Sequence, residues 1–457
     1  MLIHDRRHPN PEGLKTMADN DQRTTRRRFL IGTGRTLASA CALPYFVPAS
    51  AMASQNTAGA NDRIVVGIVG MGVRGNQMLV NIPGSGTVGA ICDADSRKTA
   101  KATKENAANW AVDKDYRKMV ERPDLDAIIV TACDHHHVLA GMLACQAGKD
   151  IYVEKPLSLY ISEGRALVNA ARHYKRIAQT GTQQRTMEMN RFACELVRDG
   201  GIGKIHAVEV VNFTGPIPYP TEGLPVESIP HGVDWDLWQG QAPERPFNRK
   251  LFSHWTDGAG RWWGNWADYS NSQLTGLGAH AYDMVQYGLG MDHTGPVALW
   301  PVEEGPAARI HFRYKNGVEV RLRFADSRPY KGPRNGAVFV GEKCKIEINR
   351  NKFTTNPPDF VTDGPDPEVA AKWEGDGWIA KGHLENWFDC IRSRELPNAD
   401  IEIGHRTATV CQLLVITRQL MRPLRWDPAA EHFIGDDEAN ALLDRPRRKG
   451  WELPEIS

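Results

Sequence analysis

No run of 18 consecutive apolar residues occurs anywhere in this 457-residue chain, so no segment has the length and character of a transmembrane helix. Nor is there a surplus of one charge. The 56 Lys and Arg residues face 55 Asp and Glu, a net charge of +1, which removes the whole-chain electrostatic case for nucleic acid or an anionic membrane as partner. Cysteine is sparse: the eight residues lie far apart with no C-x-x-C pair, which argues against a zinc cage and against a dense disulfide scaffold. Apolar residues are not lacking. At 41% hydrophobic and 24% charged, the chain has the material for a packed core, and its length suits two or three domains.

The first fifty residues read as an address. Thr25-Arg26-Arg27-Arg28-Phe29-Leu30 sets adjacent arginines before a modest apolar stretch that runs to about Val47. Ala49-Ser50-Ala51 and Ala51-Met52-Ala53 then repeat the small-residue pattern of a cleavage site. Charged, apolar and cleavage regions in this order predict a twin-arginine signal over residues 1–53. Ala38-Ser39-Ala40-Cys41 is a weaker, lipoprotein-like alternative. The segment carries eight Lys and Arg against four Asp and Glu, so the remainder of the chain is slightly acidic. Export to the periplasm or beyond, through the twin-arginine machinery, is the expectation. That route carries proteins already folded, so a cofactor can travel inside.

After a polar linker over 54–61, residues 63–69 read as a buried parallel strand, followed at once by Gly70-Met71-Gly72-Val73-Arg74-Gly75 and a helical segment. This is G-x-G-x-x-G in its strand–turn–helix setting: one glycine for the tight turn, one for approach to a pyrophosphate, one for helix–strand packing. A second strand, Val88-Gly89-Ala90-Ile91-Cys92, ends in Asp93, 23 residues after Gly70, at the spacing of a ribose-hydroxyl ligand. A carboxylate there repels a 2′-phosphate and favours NAD over NADP, although Arg97 and Lys98 stand nearby. Further strands are expected at 126–132, 150–153 and 176–180, each pair bracketing a helix-like stretch, which predicts a doubly wound parallel sheet over 62–182.

Two strand ends carry polar clusters: Asp134-His135-His136-His137 and Glu154-Lys155-Pro156. Ligands of open α/β sheets bind at such ends. Adjacent histidines rarely converge on one ion and no second ligand cluster accompanies them, so no metal is expected. The cofactor contacts expected are the turn itself (Gly70, Met71, Gly72, Val73, Arg74, Gly75), Asp93, Asp134, His137, Glu154, Lys155 and Gln183. Gln184 and Arg185, beside Gln183, are plausible polyol or cofactor contacts too.

The order of these motifs, together with Gly278-Ala279-His280-Ala281-Tyr282-Asp283, His383-Leu384-Glu385-Asn386-Trp387 and Glu402-Ile403-Gly404-His405-Arg406, resembles the Gfo/Idh/MocA family (glucose–fructose oxidoreductase, inositol dehydrogenase, rhizopine catabolism), in its exported branch. The resemblance implies a Rossmann domain followed, over 183–457, by an α/β substrate domain with a large, mostly antiparallel sheet and a helical tail. The residues agree: Ile310, Phe312 and Tyr314; Val318, Val320, Leu322 and Phe324; and Cys344, Ile346 and Ile348 all alternate with polar neighbours. The polar face is open either to solvent or to another subunit, and the resemblance implies a homo-oligomer.

By the same resemblance, Lys155 contacts the reacting oxygen near the nicotinamide, His280 is the acid/base residue and Asp283 helps to orient the site. One departure stands out. Many relatives carry Asp four residues before this histidine, where this chain has Gly276, which leaves Asn271 or Gln273 as substitutes or a changed acid/base step. Trp255, Trp262, Trp263 and Trp266 crowd one segment after Trp235 and Trp238, and their faces suit either sugar stacking or core packing.

The expected function is an exported oxidoreductase with tightly bound NAD, acting on an alcohol group of a sugar, polyol or glycoside. A redox-neutral NAD-dependent glycosidase, working by transient oxidation, elimination and re-reduction, is the alternative among enzymes. A non-catalytic sugar-binding protein with a retained dinucleotide is the alternative outside them.

Overall fold

The computed structural model describes residues 62–254, 257–258, 260–324, 333–366 and 381–456. The expected signal segment, the linker and Trp255 lie outside the described residues.

The N-terminal half is built on six parallel strands: β1 (Ile64–Val69), β2 (Gly86–Cys92), β3 (Ala111–Asp113), β4 (Ala127–Val130), β5 (Asp150–Val153) and β6 (Ala178–Thr180). Their order across the sheet is β3-β2-β1-β4-β5-β6, which reverses direction between β1 and β4. The helices between them are α1 (Val73–Leu79), α2 (Ser96–Glu105), α3 (Tyr116–Met119), α4 (His137–Gln146) and α5 (Ile161–His173). Both faces of β4 and β5 are buried, which is why those strands are continuous apolar runs. The sequence reading omitted β3. It is a three-residue edge strand of Ala-Val-Asp, too short to show a period, held by parallel pairing with β2.

Helix α6 (Glu188–Arg198) leads into a nine-stranded sheet. Its strands are β7 (Ile205–Val211), β8 (Pro296–Pro301), β9 (Ile310–Tyr314), β10 (Glu319–Arg323), β11 (Ala337–Gly341), β12 (Lys345–Asn349), β13 (Lys352–Asn356), β14 (Leu424–Asp427) and β15 (His432–Phe433). The order is β13-β12-β11-β7-β10-β9-β8-β14-β15, antiparallel throughout except for the parallel pair of β7 and β10. Ile310, Phe312, Tyr314, Val320, Leu322, Ile346 and Ile348 point into one core, as the alternation predicted. Phe324 does not. It lies beyond the end of β10, 40% exposed, under the Arg309 guanidinium.

Between β7 and β8 the chain forms α7 (Trp235–Gln239) and α8 (Gly278–Gly288), and α9 (Lys381–Ser393) and α10 (Ile401–Leu420) follow β13. Helix α9 does not stay with the second sheet. Its Leu384, Trp387 and Phe388 share a core with Ile64, Val66 and Ile68 of β1, so late residues cover one face of the first sheet. Gln179 of β6 forms an isolated antiparallel bridge with Asp400.

Candidate active site

A cleft of about 970 Å³ lies at the carboxyl ends of β1, β2, β4 and β5, bordered on its outer side by residues 237–276 and by Trp451. The glycine turn forms its floor. Gly70 has φ +93°, and a Cβ there would lie 2.5 Å from the Ala132 nitrogen. A Cβ on Gly75 would lie 2.0 Å from the Gly70 carbonyl oxygen, so helix α1 can approach its strand only because this residue has no side chain. A Cβ on Gly72 would meet nothing within 4 Å. That open space beside a backbone turn is what a pyrophosphate requires. Asn76 Nδ2 donates to the carbonyls of Met71 (3.0 Å) and Gly72 (2.8 Å), and Thr131 Oγ1 donates to Gly70 O (2.7 Å), which fixes the turn in place.

Asp93 is tied into the same turn. Its Oδ2 accepts from Met71 N at 2.8 Å and its Oδ1 from Asp95 N at 2.8 Å. Each carboxylate oxygen keeps a further lone pair for a ribose hydroxyl. Arg97 is held by Asp95 through Nε and a terminal nitrogen, both at 2.7 Å, while Lys98 Nζ stands 3.7 Å from Asp93 Oδ2. Val73 and Arg74 also line the cleft.

The chemical end of the cleft is at β5. Glu154 accepts from Arg74 Nε (2.7 Å), Tyr152 Oη (3.3 Å) and the Lys155 backbone N–H (3.1 Å). Burial pushes this carboxyl upward, yet Arg74 and Lys155 outweigh it and hold the group below the usual carboxylate range. Lys155 Nζ donates to the carbonyl of Gly276 at 2.9 Å. Burial lowers the lysine, partly offset by Glu154 and Asp134.

His280, on the first turn of α8, is 2% exposed and lines the same cleft. Its Nδ1 has no hydrogen-bond partner among the described residues. Burial pushes its pKa well below the ordinary value, and the charges of Arg350, Lys155 and Arg74 push the same way. Burial and these charges disfavour the protonated form, so the imidazole is neutral at neutral pH. Neither proposed substitute for the absent aspartate reaches the cleft. Asn271 Nδ2 is committed to Leu159 O at 2.9 Å, and Gln273 points to solvent. Instead the backbone oxygen at position 276 receives the lysine, and the space a side chain would fill stays open, with nothing within 4 Å of a Cβ built there.

The structure does not bring Asp283 to the cleft. Its carboxylate is fully buried, accepting from Arg185 Nε at 2.8 and 2.9 Å and from Thr407 Oγ1 at 3.0 Å. Burial drives its pKa up to about 6 against the pull of Arg185. Arg185 also pairs with Asp292 at 2.6 Å and is likewise absent from the cleft lining, as is Gln184, which donates to Asn335 O. Gln183 does line the cleft, with its Oε1 buried and unpartnered among the described residues.

Asp134, His136 and His137 line the cleft, with the histidine rings held largely by backbone carbonyls and His136 Nδ1 also 3.3 Å from Tyr116 Oη. His135 and His136 both direct Nε2 at Trp238 O (3.0 and 2.8 Å), and His137 directs its two nitrogens at Pro156 O (2.7 Å) and Ala132 O (3.0 Å). Asp134 Oδ2 accepts from Ser270 Oγ at 2.6 Å, joining the two halves of the cleft wall. Of the tryptophans, Trp238, Trp262 and Trp263 line the cleft; Trp235 stacks on Trp238 at 4.8 Å, and Trp266 is buried with its Nε1 on Lys250 O. Tyr116 and Trp451 also line the cleft, and the charge of Arg350 acts on His280. No local motif marks any of them, since each arrives from a distant segment.

Residues 64–182 match the family model described as oxidoreductase family, NAD-binding Rossmann fold, and residues 204–453 match the C-terminal alpha/beta domain of the same family. The chain belongs to the Gfo/Idh/MocA oxidoreductase family. An inositol 2-dehydrogenase/D-chiro-inositol 3-dehydrogenase of Lactiplantibacillus plantarum is 27% identical over 179 residues, 38% of this chain and 51% of that protein. A glycosyl hydrolase family 109 protein 1 of Bacteroides fragilis is 31% identical over 121 residues, 24% of this chain and 26% of that protein. The matches thus span about half or less of these curated relatives. The WlbA dehydrogenase of Bordetella pertussis, solved with NADH and UDP-GlcNAcA, shares the fold: TM-score 0.59 at 15% identity, over 80% of this chain and 99% of that one.

Proposed function

We propose that this protein is an exported, NAD-dependent oxidoreductase that oxidises a secondary alcohol of a sugar, polyol or glycoside. The observation that carries the reading is that Lys155 and the buried His280 line one cleft together with the glycine turn. When bound, NAD supplies the two-electron acceptor. The Gly70–Gly75 turn and Asp93 would hold it, and the open space at Gly72 fits its pyrophosphate. The Lys155 ammonium steadies the alcohol oxygen as charge develops, and the His280 imidazole takes the hydroxyl proton. Gln183 offers a buried acceptor to a substrate hydroxyl or to the cofactor amide.

The Asp93 carboxylate favours NAD over NADP, and Arg97, which a 2′-phosphate would need, is already engaged by Asp95. Export by the twin-arginine route rests on the Arg26-Arg27-Arg28 signal. Outside the cytoplasm free NAD is scarce, so the cofactor is retained and reset within each cycle. The polar outer face of the nine-stranded sheet suits association with a second copy. The match to the Bacteroides fragilis glycosyl hydrolase, over 24% of this chain, favours a second reading, redox-neutral NAD-dependent glycoside cleavage.

Single-turnover formation of NADH from bound NAD, with a panel of sugars, inositols and glycosides, tests the proposal. Lys155→Ala and His280→Ala should each lower the rate by about a thousandfold while folding is unaffected. Wild-type rates in both variants overturn the assignment. Cleavage of a glycoside with no net NADH selects the second reading, and a bound NAD that no substrate ever changes selects a binding protein.

A further inference from the structure

The segment 232–241 belongs in sequence to the substrate domain, yet it is stitched to the cofactor domain at the two loops that flank the cleft. Beyond Asp93, the Gly232 carbonyl accepts from Ser96 N (2.9 Å) and Ser96 Oγ (3.0 Å), and Asp234 N donates to Ala94 O (2.9 Å). Val233 bridges Asp95 in antiparallel fashion. Beyond β4, the Trp238 carbonyl takes both His135 and His136. The C-terminal segment locks the far end, with Arg448 Nε on Gly240 O (2.7 Å) and Gln241 Nε2 on Trp451 O (3.1 Å).

The space enclosed has a defined chemistry. In a dinucleotide fold the glycine turn takes the pyrophosphate and the acid after the second strand takes the adenosine ribose. The adenosine half therefore belongs on the β2 side of the turn, where this segment crosses. There the segment adds an apolar, aromatic wall to a rim that also carries Arg97, Lys98, Lys101, Lys114 and Asp115. Ala94 and Cys133 pack against a cluster of Trp235, Trp238, Phe247 and Phe252, and Leu237 and Trp238 line the cleft itself. Lys98 links the cover to the acid, with its ammonium 5.6 Å from the centre of the Phe252 ring and 3.7 Å from Asp93.

We infer that residues 232–241 form the outer wall of the adenosine pocket and the latch that keeps the dinucleotide from leaving. The inference rests on the NAD-dependent reading above and deepens it. Leu237 and Trp238, the latter backed by Trp235, are thereby cofactor-side residues, separate from the sugar end at Lys155 and His280. Release of the cofactor requires the contacts of 232–234 with 94–96 to open, so dissociation is slow and a weakened latch speeds it.

The test follows NADH leaving the holoprotein. Protein loaded with NADH and freed of excess by gel filtration is mixed with excess NAD, and the loss of NADH fluorescence gives the dissociation rate. Gly232→Ala strains a residue at φ +87° and sets a Cβ 2.9 Å from Ser96 Oγ. It should raise the rate about tenfold. Ser96→Ala, a milder change, should raise it about threefold. Asp283→Ala, which weakens the fold away from the latch, is the control and should leave the rate unchanged. If both latch variants release NADH at the wild-type rate, or the control releases it as fast as they do, the latch is overturned while cofactor binding stands. If the wild-type protein itself loses NADH during gel filtration, the retained cofactor and the latch both fall.

Discussion

Asp283 and His280 share helix α8, three residues apart, yet they do different work. Only His280 reaches the cleft, and Asp283 neutralises Arg185 inside the core. Asp283→Ala should therefore cost about 3 kcal/mol of stability, because it strips a buried guanidinium of one of its two partners. Turnover per folded molecule should stay within about twofold of wild type. Urea unfolding and active-site titration measure the two effects separately. A stable variant without turnover would instead make Asp283 a catalytic group. The motif around His280 was legible in the sequence because its residues are contiguous. The duty of Asp283 was not, since its partner Arg185 lies 98 positions upstream and no local pattern joins them. The same limit hid the partner of Lys155. A glycine carbonyl supplies it, and a missing side chain in a sequence does not announce a backbone acceptor.

At the scale of elements, the strand–turn–helix at Ile64–Leu79 was readable from spacing alone, because each glycine answers a different steric demand. Gly75→Ala would set a Cβ 2.0 Å from the Gly70 oxygen, a backbone contact that no rotamer relieves. Helix α1 must then shift from β1, at a cost of about 3 kcal/mol, and dinucleotide binding should be lost. Calorimetric titration with NAD checks this, and undiminished binding would contradict the geometry. The alternating strands of the second sheet were equally legible, since period-two burial is a local signal. Segment 232–241 was not, because its contacts with 94–96 span more than 130 residues and it carries no period of either kind. Edge strand β3 escaped for a simpler reason, being only three residues long.

The whole molecule is knitted across its two sheets by late residues: α9 covers β1, and Arg445 reaches Glu163 at 2.8 Å. That knitting buries several histidines as neutral groups. Burial is the main cause that lowers His136 and His383 to about 4, and it also pushes His135 well below its ordinary value. In the unfolded chain these residues titrate near 6.5. As pH falls below that value the unfolded state binds protons that the folded state refuses. For His136 and His383 the stability contribution is thus complete above about pH 6.5 and is lost towards about pH 4, on the order of 3 kcal/mol each. The urea midpoint should fall steadily between about pH 7 and pH 4.5. A flat profile would mean that these histidines are not buried as described.

A cleft built in this way should hold NAD as a resident cofactor. Full-length protein expressed in a host with twin-arginine export, purified in its mature form and denatured, releases whatever dinucleotide it carries, and an enzymatic assay of the supernatant tells NAD(H) from NADP(H). The expected result is stoichiometric NAD(H) and no NADP(H). An empty protein, or one carrying NADP(H), would contradict it.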